Sequence, residues 1–149
     1  MYIIRFIYLF LICKNLYHFD NYKNLDENNP LKRIREINLV AESRNGQRLI
    51  ERAINRARIM AEAVYQARDL IHQPSNTATP SYLAEVARKI ARKYKIICKI
   101  LSTKEMKKLG MDMLLGVSQG SHSPARLILS EYRAPGAKQT LAIVGKGVT

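Results

Sequence analysis

Carboxylates are scarce in this sequence. Twelve Asp and Glu stand against 25 Lys and Arg in 149 residues, a formal net charge of +13. Such an excess admits nucleic acid or an anionic membrane as a partner. It is read here instead as solvated helix faces, balanced by acidic segments that the chain lacks, so neither nucleic acid nor membrane is expected to bind. Cysteine is also sparse. Cys13 and Cys98 are far apart and have no metal-ligand spacing. That excludes a disulfide scaffold and fits a reducing cytoplasm. Cys98 lies in a strand-like run and is expected to be a buried free thiol. His18, His72 and His122 are scattered, which excludes HExxH and any i,i+4 histidine pair. No His–Asp pair supports Ser118 or Ser121 as a nucleophile. Internal repeats and low-complexity tracts are absent.

The apolar start, MYIIRFIYLFLIC, is too short to span a bilayer. It resembles a signal-peptide core but lacks a small-residue cleavage site. It is read as a core remnant or a misassigned start, in preference to an export signal.

Hydrophobic content of 47% and charged content of 25% are those of a globular chain, and 149 residues can bury a core. Residues 24–47 read as a linker, with a short strand expected over Lys32–Val40. From Gln47 to Ile71 the apolar residues fall at helical spacing, with Arg48, Arg52 and Arg56 on the other face. Pro74 ends that helix. Its arginine stripe is read as a solvated face in preference to a phosphate site. Thr79 can cap the next helix, with Pro80 in its first turn. Lys95–Leu101 reads as a strand. Ser102 and Glu105 have capping-box spacing for a short helix, which Gly110 can end. Met111–Ser123 reads as a loop. Arg126–Tyr132 and Thr140–Val144 read as strands joined by a turn at Pro135-Gly136. The sum is an α/β chain.

The last ten residues, TLAIVGKGVT, carry the strongest chemical signal. An apolar strand delivers Lys146, between Gly145 and Gly147, to the carboxyl end where open α/β sheets place ligands. The glycines would let the backbone turn and approach what Lys146 serves. A phosphate loop is not met: Thr140 stands where its first glycine should be and Gly147 where its Ser or Thr should be. By spacing alone, Lys146 is an exposed lysine in a strand-to-loop turn.

Six segments in order change that weighting. Tyr17-His18-Phe19-Asp20-Asn21-Tyr22-Lys23 is similar to YxFDxYK. Ala67-Arg68-Asp69-Leu70 through Asn76, then Thr79-Pro80, resembles ARDLxNxPxNxxTP. Glu105–Met111 resembles EMxxLGM, Leu115–Ser121 resembles LGVGQGS, and Arg126–Tyr132 resembles RLIxxEY. Val144–Thr149 resembles the start of VGKGxTFDSGG. All belong to the leucyl aminopeptidase family, the two-metal M17 peptidases. Ser118 departs from a usual glycine and His72 from a usual asparagine.

The resemblance implies a linker helix followed by the first part of a mixed-sheet catalytic domain, incomplete in this chain. Residues 1–23 would be a remnant of the amino-terminal domain, with the first thirteen residues in a buried helix there. Residues 24–74 would be the linker and connecting helix, and 75–149 the truncated start of the catalytic domain. It implies hydrolysis of the amino-terminal residue of a peptide, by two divalent ions, zinc or manganese, that activate a bridging water. It makes Lys146 a metal ligand, and no catalytic residue carries over. The first metal-binding aspartate would follow two residues after Thr149. The chain alone is therefore expected to be inactive and to hold no metal tightly. Family enzymes are hexamers that act on peptides in the cytoplasm. Asp69 is expected to make local hydrogen bonds at the end of its helix.

Overall fold

The computed structural model describes residues 2–23, 36–41 and 43–148. The chain divides into two compact units, Met1–His72 and Gln73–Thr149.

The first unit is a pair of helices, α1 (Tyr2–Asn15) and α2 (Arg44–His72). Ser43 starts α2, its Oγ accepting from the Gly46 N–H at 3.1 Å. Ala53, Ala57 and Ala61 recur every four residues and form the buried row of α2. Small side chains at that spacing let the packed helix α1 approach closely. The apolar start is helical as expected, but its described side chains, from Ile7 on, are not fully buried. Ile7, Tyr8, Leu11 and Ile12 are exposed, while Leu9, Phe10 and Cys13 are half-buried. A helix that is apolar all round needs cover on every side. Among the described residues, α2 is the one element packed on it. The expected strand Lys32–Val40 lies partly outside the described residues, and its described part, 36–40, has no regular structure.

The second unit runs α3 (Pro80–Tyr94), β1 (Ile97–Leu101), α4 (Thr103–Lys108), α5 (Asp112–Ser118) and β2 (Leu127–Glu131). The Thr79 side chain caps α3 by accepting from the Tyr82 N–H at 3.3 Å. The helix ends at Lys95, whose φ of 55° is left-handed, and the Ile96 N–H closes the turn on the Ala91 carbonyl at 2.9 Å. β1 and β2 pair antiparallel, from Ile97 opposite Glu131 to Leu101 opposite Leu127.

Ser102 and Glu105 form the capping box that their spacing predicts. The Glu105 carboxylate accepts from the Ser102 N–H at 2.7 Å and from its hydroxyl at 2.6 Å. These bonds to Ser102 come first in holding the Glu105 carboxyl below its ordinary range, with Lys99 and Lys108 adding to it. Gly110, at φ +69°, turns the chain out of α4 in a conformation other residues rarely adopt. The turn seats Met106, which with Leu101 and Ala125 forms a core that Met111, Leu115 and Leu127 pack against.

Two expectations are corrected in this unit. Met111–Ser123 is not loop throughout, because Asp112–Ser118 is helical. Asp112 sits in its first turn, where a carboxylate complements the helix dipole, and Leu115 faces the core. Thr140–Val144 is not a strand. The turn forms, with Gly136 at φ +73°, but the chain beyond it does not return to pair with β2. The sheet among the described residues has two strands. Without a ladder partner the apolar run stays irregular and exposed, Val144 at 93%. Mixed helices and a small antiparallel sheet agree with a partial α/β domain.

Candidate functional site

Lys146 was expected at the carboxyl end of a strand. It stands instead in an irregular, exposed segment. Gly145 and Gly147 have no positive φ, and an added Cβ would meet nothing within 4 Å at either. Neither a close approach nor a special backbone conformation requires them here. A lysine donates to a metal only as the neutral amine, which burial and a neighbouring dication favour. Lys146 has no such enclosure, and no group of three His, Cys, Asp or Glu that could hold an ion occurs among the described residues. The residues present do not fit a two-metal centre.

The glycine- and serine-containing stretch after α4 lines a hollow with Lys107, Asp112, Ser118, Gln119, Ser121 and His122. Its serines serve the backbone. The Ser118 hydroxyl donates to the Leu115 carbonyl at 2.8 Å, and Ser121 Oγ accepts from the Ser123 N–H at 3.1 Å. Cys98 is half-buried and free, and Cys13 is likewise a free thiol.

The strongest polar constellation lies in the first unit, and it joins two of the six motifs. The Tyr17 hydroxyl donates to Asp69 Oδ1 at 2.8 Å across 52 residues of chain. Asp69 was expected to bond locally; it reaches a distant tyrosine because α2 brings its last turns beside the end of α1. The Arg68 guanidinium lies 5.2 Å from the Tyr17 ring centre and donates to the Lys14 carbonyl at 3.2 Å. Tyr65 donates its hydroxyl to the Cys13 carbonyl. The rings of Tyr17 and Tyr65 are 5.2 Å apart, and His72 stacks on Tyr17 at 6.0 Å. Phe19 meets His72 at 5.3 Å. Periodicity could not reveal this clasp. The signal was the joint presence of Tyr17 and Arg68-Asp69 in two motifs of one family.

Removal of the Tyr17 phenol from water, then the Asp69 hydrogen bond and charge, push its pKa from the ordinary 10.0 to about 12. A raised folded-state value stabilises the fold below pH 10, and that contribution fades as pH climbs from 10 towards 12. Tyr65 is also raised, chiefly by burial, so ultraviolet titration of the phenols should show a late-ionising fraction that Tyr17→Phe reduces. Tyr17→Phe should also flatten the alkaline fall in thermal stability. An unchanged titration curve would contradict the clasp.

Asp69 and its neighbours hold two helices together, and among the described residues they form no group of three side chains that could hold a metal ion. What the chain is similar to carries the identification further. A model of the catalytic domain of the cytosol aminopeptidase family matches residues 65–149. A probable cytosol aminopeptidase of Nitrosococcus oceani is 41% identical over 136 residues, covering 90% of this chain and 27% of the relative. One of Solibacter usitatus is 46% identical over 103 residues, covering 67% of this chain and 21% of the relative. Among solved structures, the bottromycin maturation enzyme BotP in complex with Mn is 26% identical with a TM-score of 0.70, over 88% of this chain and 26% of that one. The chain thus spans about a quarter of the length of the relatives it matches. The matched span holds five of the six motifs, with Lys146 at its far end, and it shows that the chain belongs to the cytosol aminopeptidase family.

Proposed function

We propose that this chain is part of a metal-dependent aminopeptidase of the leucyl aminopeptidase type, which releases amino-terminal residues from peptides. The observation that carries the reading is the ordered set of motifs from Tyr17 to Lys146, five of them inside the matched catalytic-domain span. The mode of action is hydrolysis at a pair of divalent ions, manganese or zinc. The Mn named with BotP belongs to that protein, and it supports manganese as the first ion to try. Peptides are the substrates, a hexamer is the assembly, and the cytoplasm is the site of action.

In this reading residues 1–23 belong to the amino-terminal domain and 24–74 to the linker and connecting helix. Residues 75–149 begin the catalytic domain. Lys146 is the ligand the chain contributes. Exposed and without neighbouring carboxylates, it holds no ion tightly by itself. The clasp of Tyr17, Arg68 and Asp69 fixes the connecting helix and takes no part in the chemistry.

Hydrolysis of leucine p-nitroanilide by the purified chain, with added manganese or zinc and a chelator control, tests the reading. No chelator-sensitive turnover is expected from a folded, monodisperse sample. Turnover that the chelator removes would mean that these residues complete a metal centre, and the inactive assignment would be wrong.

A further inference from the structure

The end of α4 and the start of α5 border one hollow. A helix bears partial positive charge at its amino terminus and partial negative charge at its carboxyl terminus, so carboxylates suit its first turn and cations its last. α4 closes with Lys107 and Lys108, and α5 opens with Asp112. Between them the chain turns within a few residues. Gly110 takes a φ of +69° there, and the Met111 N–H bonds the Met106 carbonyl at 3.1 Å. The dipoles thus set one charge of each sign at two adjacent helix ends, and the turn brings both to the wall of the same hollow.

That hollow measures about 520 Å³, within the range of small-molecule sites, about 300–1,000 Å³. Leu115 and Ala125 give it an apolar floor. Both also pack in the core around Met106, which fixes that floor in place. Lys107 and Asp112 are exposed. Although they line the same hollow, they form no ion pair, and among the described residues neither side chain has another partner. Glu105, on the same helix as Lys107, is by contrast committed to the capping box. Gln119 and His122 line the hollow as well and add N–H donors.

We propose that this hollow binds a free α-amino acid with an apolar side chain. Lys107 Nζ donates to the α-carboxylate, Asp112 accepts from the α-ammonium, and the side chain lies on Leu115 and Ala125. A zwitterion answers both charges at once. A simple anion would meet the Asp112 carboxylate, and a simple cation would meet the Lys107 ammonium, each a like-charge contact. Charge-assisted hydrogen bonds at the two ends of the ligand also fix its orientation. The significance of the ligand rests on the proposed function, for which a free amino acid is the product. Binding itself needs no turnover, and Lys146 does not line the hollow.

Ligand-observed NMR titration of the full chain with L-leucine is the test. Binding with a Kd on the order of 1 mM is expected. Lys107→Ala and Asp112→Asn should each weaken it about 10-fold, the worth of one hydrogen bond to a charged group. Lys104→Ala removes a charge from the same helix outside the hollow and should leave affinity unchanged. Two analogues locate the ends of the ligand and need no variant, so the proposal stays falsifiable if Asp112→Asn loosens α5. L-leucinamide lacks the carboxylate and isocaproate lacks the ammonium, and each should bind about 10-fold more weakly than L-leucine. Leucinamide should be indifferent to Lys107→Ala, whereas isocaproate should gain affinity in Asp112→Asn. Absence of L-leucine binding at about ten times the expected Kd, or analogues that bind as well as L-leucine, would overturn the site. Equal losses in Lys104→Ala and Lys107→Ala would overturn it in favour of diffuse charge. Tighter binding of L-leucyl-L-leucine than of L-leucine would overturn the amino acid in favour of a peptide. Any of these failures would leave the aminopeptidase reading untouched.

Discussion

Met106→Ala is expected to unfold the second unit at ambient temperature. Met106 has no exposed surface and is the one large side chain fully buried among the described residues. Around it the buried set is otherwise alanine, apart from Leu101. Truncating a buried methionine costs about 2–5 kcal/mol, through lost transfer energy and the cavity left behind. Whole domains are stable by only about 5–15 kcal/mol. A unit with so few large core residues has little margin. Urea denaturation followed by circular dichroism should show the folded baseline lost, whereas Met106→Leu, which keeps the volume, should cost less than about 1.5 kcal/mol. A loss below about 1 kcal/mol for the alanine variant would mean that α4 does not anchor this core.

The second large effect concerns Lys146, and it needs the complete enzyme. Residues 65–149 of this chain, placed in the corresponding span of the Nitrosococcus oceani relative, should give a protein with chelator-sensitive aminopeptidase activity. Lys146→Ala in that chimera should then reduce kcat/KM by on the order of 100-fold or more, since loss even of a group that only supports a metal ligand costs 10–100-fold. Manganese affinity, measured by calorimetry, should fall with it. Activity that survives Lys146→Ala would remove the ligand role. An inactive chimera that folds and assembles would show that this stretch has diverged beyond function.

Local chemistry made much of the fold legible. The capping box at Ser102 and Glu105, the Thr79 cap and the Gly110 stop are encoded within four or five residues, and the structure has all three. The long helix was legible from its apolar period and Pro74, although it begins three residues earlier than its period suggested. Features that depend on a distant partner were not. Thr140–Val144 has every strand propensity, yet no neighbour to pair with. Asp112–Ser118 is helical despite its glycine, because Leu115 finds the core. The Tyr17–Asp69 bond spans 52 residues and leaves no periodic trace. Lys146 was legible only by resemblance, since its surroundings in this chain give it no enclosure.

The run from Leu141 to Val144 also bears on how long such a molecule persists in a cell. It is apolar, without regular structure and open to solvent, with Leu141 at 85% and Ile143 at 89% exposure. Chaperones and proteases find unfolded chains by features of that kind, and they triage them continuously. To that machinery this folded chain displays the mark of an unfolded one. Capture of residues 141–144 by that machinery would shorten its lifetime, and a partner that covered them would lengthen it without touching either folded unit.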